Sequence, residues 1–333
     1  MFRDKSQSAF FVVCTALIPA LVVCGKNEEK SPTAPEGAGA QFTMPHSIKE
    51  VGQFFDFSTG QAIEALSPVS AWDVGFQNKA MEGLGITLNF GKGGRVLNTG
   101  RTDFGAVSMA DTTGEMFVLD ASWNDPSAVA IADWFNMPKM GDIESKQEVY
   151  ILAFMEGTEI VYTKFQMLGY ADGKYTFKFA RLPNGPTTSG EVSMGGDTHW
   201  LCYSFSAQAV VPFEPSKEAW DLYFGPVVVR MGTSYRAVGR ILPNVGSGVQ
   251  VAVSDEGVVL DDLKVADWVG KLETIHVLKG WYRFDHATKT YSYPVRSYLV
   301  KTAEGQYAGF QILSYQSAGK SGYPTFVYKY NMQ

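Results

Sequence analysis

Ala71-Trp72-Asp73-Val74-Gly75-Phe76 returns as Ala219-Trp220-Asp221-Leu222-Tyr223-Phe224 at an offset of 148 along the chain. The same offset carries Phe55-Asp56-Phe57-Ser58 onto Tyr203-Ser204-Phe205-Ser206 and Tyr150 onto Tyr298. Each of those tyrosines opens an apolar run closed by a Glu-Gly pair, Glu156-Gly157 in one case and Glu304-Gly305 in the other, which is a β-hairpin signature. The return strands match as well: Phe165-Gln166-Met167-Leu168-Gly169-Tyr170 against Phe310-Gln311-Ile312-Leu313-Ser314-Tyr315. Upstream of the hairpins, Asp133-Trp134-Phe135 answers Gly280-Trp281-Tyr282, and downstream Thr176-Phe177-Lys178-Phe179 answers Thr325-Phe326-Val327-Tyr328. Landmarks in one order at near-constant spacing indicate a unit used twice.

Most landmarks alternate apolar and polar residues at period two, whereas apolar stripes at helical spacing are scarce. The expected fold is therefore all-β, built mainly of antiparallel sheets, with one or two short helices at residues 127–135 and 260–268, where Ser or Asp caps precede apolar runs. Two homologous β domains are expected at residues 46–183 and 191–333, joined by the Gly-, Pro- and Thr-rich stretch 183–190. The composition agrees: 22 Phe, 16 Tyr and 7 Trp favour strands, and 34 Gly favour turns. Lys and Arg number 28 against 34 Asp and Glu, without basic clusters, so no phosphate-neutralising surface and no nucleic-acid partner is expected.

Arg3 and Lys5 precede an apolar stretch over residues 9–23, which reads as a signal peptide at 1–23 and is short for a membrane-spanning helix. It ends Leu21-Val22-Val23-Cys24-Gly25, similar to the lipobox of bacterial lipoproteins, although Val23 stands where a small residue is usual. That resemblance implies lipidation of Cys24 and anchoring in the outer membrane of a bacterial cell envelope, facing either the surface or the periplasm. Residues 24–45 are rich in Gly, Pro, Ala, Glu and Lys and read as a flexible spacer. Of three cysteines, Cys202 alone then remains unmodified in the mature chain, and its strand-like setting makes it a small buried apolar residue.

Together, the aromatic-Ser-Phe-Ser strand, the Trp-Asp strand, the Gly-rich segment Gly91-Lys92-Gly93-Gly94, the Trp281-Tyr282 element and the paired terminal strands resemble the HmuY family of bacterial surface lipoproteins. The resemblance implies an all-β protein that binds haem through two side chains, His or Met, and passes it toward a TonB-dependent receptor. By position in that pattern one iron ligand falls on His286, while the region 254–260, where the second is expected, holds no His or Met.

Each candidate also has a plainer reading. His286, beside Asp285 and near Trp281, Tyr282, Phe284 and Tyr291, is either an axial ligand among aromatic walls or a polar turn residue. His276 is either the second imidazole or a sheet-surface residue, given the alternation around Ile275. Met137 and Met140 are either thioether ligands of the first unit or loop packing. His46 and His199 are expected to be exposed, and the aspartates of the two Trp-Asp pairs to satisfy backbone donors. No metalloprotease, dithiol, serine-elbow or Walker pattern survives inspection, so binding rather than catalysis is expected, with haem as ligand or, alternatively, a non-haem role in binding or adhesion.

Overall fold

In the computed structural model, residues 39–333 are described, apart from 79–82, 121–122, 124, 126–127, 140, 232–233, 286, 289 and 318. Four larger antiparallel sheets carry the fold. The first orders β1 (Ala40–Thr43), β22 (Lys320–Tyr330), β21 (Tyr307–Ser317), β20 (Ser297–Lys301) and β17 (Gln250–Val253). The second orders β12 (Thr188–Ser193), β11 (Lys174–Arg181), β10 (Glu159–Ala171), β9 (Val149–Glu156) and β6 (Arg95–Asn98). The third orders β14 (Ala209–Val210), β13 (Trp200–Ser204), β4 (Val74–Gln77) and β5 (Ile86–Leu88). The fourth orders β16 (Ser234–Pro243), β15 (Leu222–Met231), β2 (Gln53–Asp56) and β3 (Gln61–Glu64). Two small hairpins complete the set, β7 (Phe135–Asn136) with β8 (Glu144–Ser145) and β18 (Arg283–Asp285) with β19 (Thr290–Ser292).

The all-β expectation holds, and α1 (Val265–Trp268) with the 3-10 turn Leu260–Asp262 falls where the second helix was expected. Of the first expected helix, at residues 127–135, the described part keeps only a 3-10 turn ending at Ala128, whose N–H donates to the Asp125 carbonyl at 2.9 Å. Ile131 bridges Ile86 there, and the Trp134 indole donates to the Leu84 carbonyl at 2.6 Å, so tertiary pairing overrides the local helical pattern. Both Glu-Gly turns form as read: Gly157 and Gly305 sit at φ 63° and 79°, a region that favours glycine.

Elements related by the repeat offset occupy matching places, yet they pair crosswise. β2 lies on β15, with Phe55 opposite Leu222, and β13 lies on β4, with Tyr203 opposite Val74. β1 closes the edge of β22, whereas β12, its counterpart by the same offset, closes the edge of β11. The stretch 183–190 is thus partly structural, since β12 begins at Thr188 inside it. Three of the larger sheets draw strands from both sides of residues 183–191, and the described residues belong to one compact unit.

The two Trp-Asp pairs hold this crossing. Asp221 accepts from Phe57 N at 2.9 Å and Ala303 N at 2.8 Å, while Asp73 accepts from Phe205 N at 2.7 Å. Asn89 donates to the carbonyls of Val69 and Trp72, and its counterpart Asn244 donates to those of Lys217 and Trp220, the matching positions of the second unit. One difference breaks the likeness: Lys92 Nζ lies 2.6 Å from Asp73 Oδ1, and Asp221 has no such ion pair among the described residues.

β2 shows why alternation fails at some landmarks. Phe55 joins one core with Leu222, Ile241, Phe310 and Phe326, while its neighbour Phe54 points the other way into a second cluster with Trp72, Trp123, Trp200 and Trp220. A strand buried on both faces has no polar side to show. That second, tryptophan-rich cluster takes residues from β2, β13 and β15 and from the turn before β4.

Candidate functional site

Trp281, expected as a porphyrin wall, is instead core: it is buried and packs edge-on against Tyr315 with centroids 5.1 Å apart. Tyr282 is half-buried and lies parallel to Tyr315, and Phe284 with Tyr291 extends this aromatic group along the β18–β19 hairpin. Asp285 Oδ1 accepts from Ala287 N and Thr288 N, so part of this carboxylate is used in shaping the turn. His286, Met140 and Cys24 lie outside the described residues. Met137 is exposed in the loop between β7 and β8, where no second soft ligand faces it among the described residues.

His276 is in no strand. The segment after the bridge between Glu273 and Val251 runs irregularly, which corrects the sheet-surface expectation and sets the imidazole between two recesses. One is an apolar cavity of about 100 Å³ lined by Leu88, Phe90, Trp123, Val227 and Leu242. The other is a recess of about 480 Å³ lined by Val253, Glu273, Ile275, Val277 and Lys279. His276 and Val277 form the wall common to both. His276 Nε2 lies 3.7 Å from Asp125 Oδ2, and its Nδ1 is covered without a hydrogen-bond partner.

Asp120 also lines the smaller cavity. Burial pushes its carboxyl up to about 6, against the pull of three donors: Thr87 Oγ1, Leu88 N and Ala130 N. Neither Asp120 nor Asp125 was singled out in the sequence, because both lie in a stretch without a landmark of the repeat. The cavity beside Asp120 offers apolar contact, one imidazole and one acid. Cys202 is not among the described residues that line it, and burial raises that thiol well above the ordinary range.

His199, expected to be exposed, is buried. Its Nε2 lies 3.1 Å from Asn244 Oδ1 and 3.0 Å from Ser247 Oγ, and its backbone N–H donates to Glu214. Glu214 accepts from Trp200 N as well, and burial pushes its carboxyl up to about 8. This group pins the start of β13 to the loop after β16 and has a structural role. His46, by contrast, is exposed as expected, 3.3 Å from Glu64. Among the described residues no group of three or more His, Cys, Asp or Glu is placed to hold a metal ion, and no helix is long and apolar enough to cross a membrane.

The recess beside His276 lies wholly within the part of the chain that a known family recognises. The HmuY family model matches residues 196–328. Two solved structures are similar over most of their length. A Bacteroides vulgatus ATCC 8482 protein, provisionally described as HmuY_like and heme binding, is 16% identical, with 90% of this chain and 96% of that chain covered and a TM-score of 0.25. A Bacteroides fragilis NCTC 9343 protein, provisionally described as a lipoprotein, is 13% identical, with 90% and 93% covered and a TM-score of 0.25. At that TM-score neither structure bears on the argument, which rests on the HmuY match and the geometry. No curated protein sequence matches the chain.

Proposed function

We propose that the protein is an exported ligand-binding protein of the bacterial cell envelope, tethered through Cys24, and that its ligand is haem, taken up beside His276 and passed to a TonB-dependent receptor. The observation that carries this reading is the His276 imidazole, which lines a recess large enough for a small ligand inside the segment matched by the HmuY model and whose Nδ1 has no hydrogen-bond partner. Haem asks for a lone pair on nitrogen or sulfur, apolar walls, and a cation for its carboxylates. His276 supplies the first, Val253, Ile275 and Val277 the second, and Lys279 the third, with Glu273 opposing it. No methionine and no second histidine line the recess among the described residues, so the fit is to one axial ligand.

We further infer that the stretches 46–183 and 191–333 are two copies of one β unit. The support is the matching placement of Asp73 and Asp221, just before β4 and β15, and of Asn89 and Asn244, just after β5 and β16.

Titrating haemin into the chain from Gly25 onward tests the ligand assignment. A Soret band that shifts, sharpens and saturates at one equivalent supports haem. An unchanged spectrum overturns it and leaves a non-haem surface protein that binds other small molecules or partners.

A further inference from the structure

Arg95 opens β6, and its side chain is almost fully buried. Its guanidinium carbon lies 4.1 Å from the centroid of the Tyr235 ring, and Nη1 is covered with no acceptor. It forms no ion pair and no side-chain hydrogen bond with any described residue. A buried guanidinium held only by an aromatic face lacks the counter-charge that such groups normally require.

The surroundings form a built recess. Arg95 pairs with Ala153 of β9, which in turn pairs with Tyr162 of β10, so these three side chains point to one face of the sheet with the smallest in the middle. Val118 is locked to the strand by two 2.8 Å backbone hydrogen bonds with Val96, which holds Met116 and Phe117 as the opposite wall. Phe117 and Tyr162 rings lie 5.8 Å apart, and Ile160 closes one end. The enclosed volume is about 480 Å³, and Glu115 stands at its exposed rim. Met116, 83% exposed, and Ile160, 39% exposed, leave an apolar surface open to solvent beside a buried positive charge.

We propose that this recess is a second ligand site, distinct from the one at His276, for a small anionic amphiphile: a carboxylate that meets Arg95 on an apolar body that covers Met116, Phe117, Ile160 and Tyr162. An apolar trough alone takes any greasy molecule. The unpaired guanidinium selects the sign of the head group, and its planar donors suit a carboxylate.

Dodecanoate is the probe, with dodecyltrimethylammonium as the opposite-charge control, each titrated calorimetrically into the chain from Gly25 onward. Dodecanoate is expected to bind one site saturably, and the cation roughly tenfold or more weaker. Arg95→Met keeps an apolar stem, removes the unpaired charge, and is expected to fold with unchanged or raised stability while weakening dodecanoate by roughly tenfold or more. Met116→Glu, at an exposed side chain, tests the same site if Arg95→Met does not fold, and it is expected to weaken dodecanoate through repulsion. Equal binding of anion and cation, no saturable binding of dodecanoate, or unchanged affinity in both variants overturns the proposal. Haemin titration of the same variants separates this site from that at His276, because neither substitution touches the His276 recess.

Discussion

Asp221 offers the sharpest test of the crossed architecture, because its carboxylate holds the turn after β2 and the turn after β20 from opposite sides. Asp221→Ala strips the acceptor from Phe57 N and Ala303 N together. Each covered donor left unpaired costs about 1–3 kcal/mol, so the loss should be roughly 2–6 kcal/mol. Asp221→Asn keeps one acceptor and carries no charge. In the folded chain, burial pushes the Asp221 carboxyl up from 3.8 to about 7, with Glu304 and Asp56 adding to the push against the two backbone donors. Between those values the folded chain holds a proton that the unfolded chain has released, so this contribution is greatest at low pH and is lost as pH rises through about 7. From about pH 5 to about pH 8 the change is close to two units of proton affinity, or about 2–3 kcal/mol. Equilibrium denaturant unfolding followed by tryptophan fluorescence reads both effects. The stability advantage of wild type over Asp221→Asn should shrink by that amount across the window. A gap that does not move with pH, or an Asp221→Ala loss under about 0.5 kcal/mol, would refute the reasoning.

Other substitutions probe the same frame. Lys92→Met leaves the buried Asp73 carboxylate without its 2.6 Å partner, and should cost about 3–5 kcal/mol near neutrality, measured by denaturant unfolding. Trp220→Ala empties the centre of the tryptophan cluster, where its ring stacks on Trp123 at 6.2 Å, and should lower the unfolding free energy by about 3–5 kcal/mol with an unchanged denaturant slope. Glu214→Gln keeps an acceptor for His199 N and Trp200 N; since burial raises Glu214 from 4.5 to about 8, the exchange should cost under about 1 kcal/mol near about pH 4 and grow more favourable as pH rises through that range, levelling off above about 8, as a pH series of unfolding curves would show.

The features legible in the sequence are those that local chemistry imposes. The Trp-Asp pairs, the Glu-Gly turns and the alternating return strands each announce themselves within a few residues, and their shared offset announces the repeat. What pairs with what is not local. Phe55 meets Leu222 rather than a neighbour in its own stretch, and no periodicity records so remote a partner. His199 seemed exposed because it follows Gly195, Gly196 and Asp197, but Asn244 and Glu214 fold over it from distant loops. The His276 recess was hidden for a related reason. Most of its walls come from a segment whose alternation around Ile275 suggests a strand but which runs irregularly, and the acid beside His276, Asp125, belongs to a stretch without a counterpart landmark. Nothing local in the sequence marks Arg95, because its setting is made by residues remote in the chain.

The central claim is that haem is taken up at His276, and haemin affinity measured side by side for His276→Ala and His286→Ala addresses it most directly. The account predicts that His276→Ala weakens haemin by roughly tenfold or more and alters the Soret band, with His286→Ala close to wild type. Haemin binding that survives in His276→Ala and is lost in His286→Ala would contradict it.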